Sequence, residues 1–193
     1  MWKSTMALAL ASSLAVPAVC DGQEKPDERI IAEALSALPA PLRDGAEVKG
    51  YRDGELVTLR SGDSGMICLG DDPSDDRWHV ACYHEDLEPF MARGRQLRAQ
   101  GITGRAQIDS IRQTEIGSGA LPFPDHPAAL YSWFGDETSF NPESGEAEQA
   151  RGLYVIYMPY ATAAETGLPV ESARDRPWLM FPGKPWAHVM ISR

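Results

Sequence analysis

"RWHVACYHEDLEPFMARG", Arg77 to Gly94, changes its hydrophobic period partway along, and that change decides the fold. Trp78, Val80, Cys82 and His84 alternate onto one face, and Arg77, His79, Ala81 and Tyr83 onto the other, as in a strand. From Asp86 the spacing turns helical, with Leu87, Phe90, Met91 and Leu97 on one stripe. Glu85, Asp86 and Glu88 come before Arg93, Arg95 and Arg98, the order that complements a helix macrodipole. Pro89 is tolerated in a first turn, and Gly101 supplies the stop. The stretch predicts a strand that runs directly into a helix.

Upstream, "GMICLG" is separated from "RWHVACYH" by the acidic turn "DDPSDD", which predicts an antiparallel pair. Asp71, Asp72, Asp75 and Asp76 lack the alternation of a calcium loop and read as a solvated tip. Cys68 and Cys82 both fall on the core side of their strands, and in an oxidising compartment an even pair predicts a disulfide. Further upstream, "AEVKGYRDGELVTLRSG" carries Asp53-Gly54 as a two-residue hairpin turn. Closing on it pairs Arg52 with Glu55, Tyr51 with Leu56, Gly50 with Val57, Lys49 with Thr58, Val48 with Leu59 and Glu47 with Arg60. Ile30, Ile31, Ala34, Leu35 and Leu38 recur at helical spacing ahead of Pro39 and Pro41.

Downstream, a second helix is expected from Arg105 to Ile116, with Ile108 and Ile111 inward. Residues 117 to 150 read as an irregular segment around a short apolar "AALYSWF". A loop of that length is either functional or mobile. The runs "LYVIYMPY", "PWLMF" and "WAHVMI" read as central strands. The expected fold is α+β: a mostly antiparallel sheet of about six or seven strands, with two or three helices packed on one face, those from Asp86 and Arg105 among them.

Residues 1–20 have the form of a signal peptide, with Lys3, the uncharged run Met6 to Val16, and the small-residue exit Pro17, Ala18, Val19 and Cys20. Cleavage fits after Ala18 or Cys20; acylation at Cys20 would need a small residue where Val19 stands. Residues 21–28 read as a flexible linker and 29–193 as a single domain. The protein is expected to be secreted or periplasmic, with no integral membrane segment once the signal is removed. The net charge of −10 becomes −11 on losing Lys3, which disfavours nucleic acid and anionic lipid except at a local basic patch.

Four histidines, His79, His84, His126 and His188, are candidate zinc ligands. His79 and His84 point to opposite faces of a strand that includes both, so they can share an ion only if the strand ends before His84. His84 with Glu85 and Asp86 also fits a strand-to-helix junction, and His188 fits a buried histidine bonded to a carbonyl. Gly62 to Gly65 resembles the Gly-Asp-Ser-Gly nucleophile loop of chymotrypsin-like serine proteases, but no histidine precedes Ser64, and the tetrapeptide reads as a turn. There is no phosphate-binding Gly-rich loop, Cys-x-x-Cys or haem attachment pattern, so no cofactor is expected.

Aromatic residues crowd the second half, and Trp133, Tyr157, Trp178 and Trp186 are the candidate binding residues. The expected function is a non-enzymatic module that binds a small molecule, a peptide or an envelope component. The alternative is a metal-dependent hydrolase in which the histidines hold zinc and Glu85 or Asp86 is the general base.

Overall fold

The computed structural model describes residues 26–74 and 76–193. The expected signal peptide, and the expected linker up to residue 25, lie outside the described residues. Helix α1 (Asp27–Leu35) takes up the last two positions assigned to that linker: Pro26 precedes the helix, and Asp27 and Glu28 form its acidic first turn.

The centre is a single eight-stranded sheet. Across it run β2 (Glu55–Arg60), β1 (Glu47–Arg52), β3 (Met66–Leu69), β4 (Trp78–His84), β5 (Ala128–Gly135), β8 (Arg151–Tyr157), β10 (His188–Ser192) and β9 (Trp178–Met180), in that order. All neighbours are antiparallel except β1 and β3. A small separate pair, β6 (Phe140–Asn141) and β7 (Glu146–Ala147), lies between β5 and β8 in sequence. Helices α2 (Glu88–Ala99) and α3 (Arg105–Gly117) follow β4, and a one-turn helix, α4 (Ala163–Thr166), follows β8. Among the described residues no helix is long and apolar enough to cross a membrane.

The α+β fold and the helices from Asp86 and Arg105 stand as expected, with α2 led in by a short turn of tighter helix, Glu85–Leu87. Cys68 and Cys82 are directly opposed and joined by a disulfide. Three expectations are corrected. The hairpin holds its register only from Arg52–Glu55 to Lys49–Thr58; a bulge then sets Val48 opposite Arg60. There the Arg60 guanidinium reaches back to the carbonyls of Arg43 and Ala46, while Glu47 accepts from Thr58 instead of facing Arg60. Second, "AALYSWF" lies within β5, a central strand, so the expected long loop is broken in two. Third, of the three closing runs, the one carrying Trp178 forms the edge strand β9.

Both faces of the sheet are covered, each by one side of the period-2 alternation. On the first face α1 packs over Val48, Cys68, Trp78, Val80 and Cys82, joined by Phe140. Trp133 ties α1 down by donating its indole N–H to the Ser36 carbonyl at 2.9 Å. On the second face Ile67, Tyr83, Val155 and Tyr157 meet Leu87 and Phe90 at the start of α2, with Leu121 and Trp186. Gly94 in mid-α2 costs helix propensity, and the packing explains it: a Cβ there would lie 1.9 Å from the Arg112 guanidinium of α3.

Candidate functional site

Between the second face and helices α2 and α3 opens a cleft of about 730 Å³, within the usual range for small-ligand sites. Leu69, Ala81, Leu130, Leu153, Val155 and Met190 make its apolar floor, each projecting from a strand to the same side. Phe90, Ile108, Phe181 and Trp186 add apolar walls. The charged lining is five arginines (Arg77, Arg95, Arg98, Arg105 and Arg112) against three aspartates (Asp71, Asp72 and Asp109). In a chain of net charge −10 this is the local basic patch that the overall balance conceals.

One side of the cleft is held rigid by a charged network around Glu88. Its carboxylate accepts from the Tyr83 hydroxyl at 2.5 Å, from Arg95 at 2.7 Å and from Lys49 at 3.3 Å. Burial draws the Glu88 carboxyl upward, but Tyr83, Arg95 and Lys49 together outweigh it and hold it below the usual carboxylate range. The Tyr83 hydroxyl is pushed far up, first by burial. Tyr51, also in the lining, is pushed up to about 12 by burial and by Asp72.

The other side is aromatic and holds unusual donors. Tyr157, buried, is pushed up to about 12 by that burial, against the pull of Arg112 and Arg105. His188 is held below its ordinary value by burial, and its Nδ1 lies 2.7 Å from the Trp186 carbonyl. Arg112 is only 9% exposed; its guanidinium lies 3.9 Å from the Phe90 ring centroid and donates to the Phe90 carbonyl at 2.7 Å. No carboxylate among the described residues stands within ion-pair distance of it, and burial brings it down to about 10, so it stays charged at neutral pH. Three buried side-chain polar atoms among the described residues have no hydrogen-bond partner. Two of them, Arg112 Nε and Trp186 Nε1, belong to residues that line this cleft and flank the same Phe90 ring. Both are donors, so the chemistry they lack is an acceptor.

Of the expected binding residues, Tyr157 and Trp186 line the cleft. Trp133 instead belongs to the opposite face, where Arg193 lies 4.0 Å over its ring. Trp178 is buried in β9 and does not reach the cleft. The four histidines do not gather at one point. His79 stacks on Phe134 at 4.4 Å within the cleft, and His188 is buried in β10. His84 and His126 do meet, on either side of Asp86. Gly62 to Gly65 is a turn, with the Asp63 and Ser64 amides both donating to the Gly45 carbonyl. The residues that sequence reasoning did not assign to a site are Arg95, Arg98, Arg105 and Arg112: on helices read alone they resemble a solvated face, and the docking of α2 and α3 turns them inward.

Fold and site define the class: an α+β protein with an arginine-lined, apolar-floored cleft under a helix pair. No protein-family model, no curated protein and no solved structure matches the chain.

Proposed function

We propose that the protein is a non-enzymatic binding module whose cleft takes a small organic ligand with an apolar body and an anionic head. The observation that carries this reading is the pair of partnerless buried donors, Arg112 Nε and Trp186 Nε1, on two residues that line an apolar-floored cleft. An unsatisfied buried polar group costs about 1–3 kcal/mol, and a charge-assisted hydrogen bond donated to an anion returns a similar amount. The apolar floor supplies affinity by area, and the arginines supply orientation and attract the anion. The same reading places the protein outside the cytosol, secreted or periplasmic, and the Cys68–Cys82 disulfide supports that placement.

The test uses two dyes of like shape. 8-Anilinonaphthalene-1-sulfonate carries an anionic head, and N-phenyl-1-naphthylamine is neutral. The account predicts that Arg112→Gln weakens the sulfonate by tenfold or more, since about 1.4 kcal/mol is a factor of ten, and leaves the neutral dye within about twofold. Equal losses for both dyes, or no loss for the sulfonate, would overturn it.

A further inference from the structure

Away from the cleft floor, at the junction where β4 turns into α2, His84, Asp86 and His126 offer three ligand atoms that all lie within 4.8 Å of one another. His84 ends the strand, Asp86 lies in the short turn that follows, and His126 comes from the segment just ahead of β5. Asp86 Oδ2 stands 3.3 Å from His84 Nδ1 and 3.0 Å from His126 Nε2. Zinc–ligand bonds of about 2.0–2.1 Å at tetrahedral angles set donors about 3.4 Å apart, so both separations are close to the edges of such a polyhedron. The remaining pair, the two imidazole nitrogens, lies within 4.8 Å, and the rings meet edge to face with centroids 6.3 Å apart.

A second feature points the same way. His126 Nδ1, the nitrogen turned away from the cluster, lies 3.2 Å from Asp125 Oδ1. Metal-ligating histidines commonly give their second ring N–H to a carboxylate, which fixes the tautomer and frees the other nitrogen as a ligand. His84 Nδ1 also faces the Asp86 amide at 3.4 Å, a long cap contact whose lone pair a metal would take over.

We infer that His84, Asp86 and His126 form a divalent transition-metal site, with Asp125 as the positioning residue behind His126. Two imidazoles and one carboxylate suit zinc above calcium or magnesium, which take oxygen ligands. Three protein ligands leave a coordination position open for water or an outside donor, unlike the closed four-ligand shell of a structural zinc.

Isothermal titration of the tag-free, chelator-treated chain with zinc chloride tests the site. One zinc per chain is expected. His84→Ala and His126→Ala should each weaken binding by at least tenfold, and Asp125→Asn by about tenfold through the lost orientation. His79→Ala, on the cleft face, should leave binding within twofold. The side chains of His84, His126 and Asp125 are all well exposed, His84 the least at 39%, so the variants are expected to fold, which circular dichroism checks. Absence of saturable 1:1 binding, or binding that survives in the His84→Ala/His126→Ala double variant, overturns the site.

Discussion

Replacing Cys68 and Cys82 together by alanine is expected to lower stability by about 3 kcal/mol, the chain-entropy value for a closed loop of about 15 residues. At about 2–4 °C per kcal/mol for a chain of this size, the melting temperature falls by about 6–12 °C. The position of the bridge gives the loss a structural meaning. Both cysteines are fully buried beneath α1, in one cluster with Val48, Trp78 and Val80. Among the described residues, strand β3 alone pairs the β1–β2 hairpin with the remaining strands of the sheet, and its parallel pairing with β1 spans three residues. The bridge fastens that short strand to β4. Scanning calorimetry of the double variant, and of the wild type under reductant, is the check; a melting temperature within 2 °C of the oxidised wild type contradicts this role.

Glu88→Ala is expected to cost about 2–3 kcal/mol, because it deprives a buried tyrosine hydroxyl and two cations of their shared acceptor. Lys49 comes from β1, Tyr83 from β4, and Arg95 from the next turns of α2, so one carboxylate joins two strands to the helix that walls the cleft. The pH dependence follows from the direction of the shift. The folded carboxyl titrates below its ordinary 4.5, so the unfolded chain binds the proton more readily as pH falls. The stabilisation is full above 4.5 and is lost as pH drops through the folded value. Glu88→Gln should therefore melt lower than wild type at pH 7, and the gap should narrow towards pH 3. A gap that stays constant between pH 7 and pH 3 contradicts the charge network.

The legible parts of the fold are those in which local pattern and tertiary need coincide. The change of period at His84 to Asp86 marks a real strand-to-helix junction, and the opposed cysteines follow from alternation on two neighbouring strands. The parallel β1–β3 pairing was not legible, because a hairpin signal ties β1 to β2 and says nothing of its other edge. Strand β5 was obscured by the proline and glycine on either side of it, although its place at the centre of the sheet depends on partners 50 residues before it and 20 after. The site was harder still. Tyr157 and Trp186 stood out as aromatics, but Trp133 and Trp178 are aromatic for packing, and composition alone cannot separate the two uses. Arg112 becomes a buried cation only when α3 docks on α2, and Gly94, the residue that makes room for it, looks in the sequence like a flaw in a helix. His126 reaches Asp86 across 40 residues, a meeting that no local spacing encodes.

The central claim is that the cleft under α2 and α3 is the ligand site. A ¹⁵N NMR titration with 8-anilinonaphthalene-1-sulfonate tests it most directly, because tryptophan indole N–H signals are few and well separated. Of the four tryptophans among the described residues, Trp186 alone lines the cleft. The account predicts that the Trp186 indole signal shifts on titration while those of Trp78, Trp133 and Trp178 stay in place. A shift confined to Trp133 or Trp178, or a saturating titration that leaves Trp186 unmoved, would contradict it.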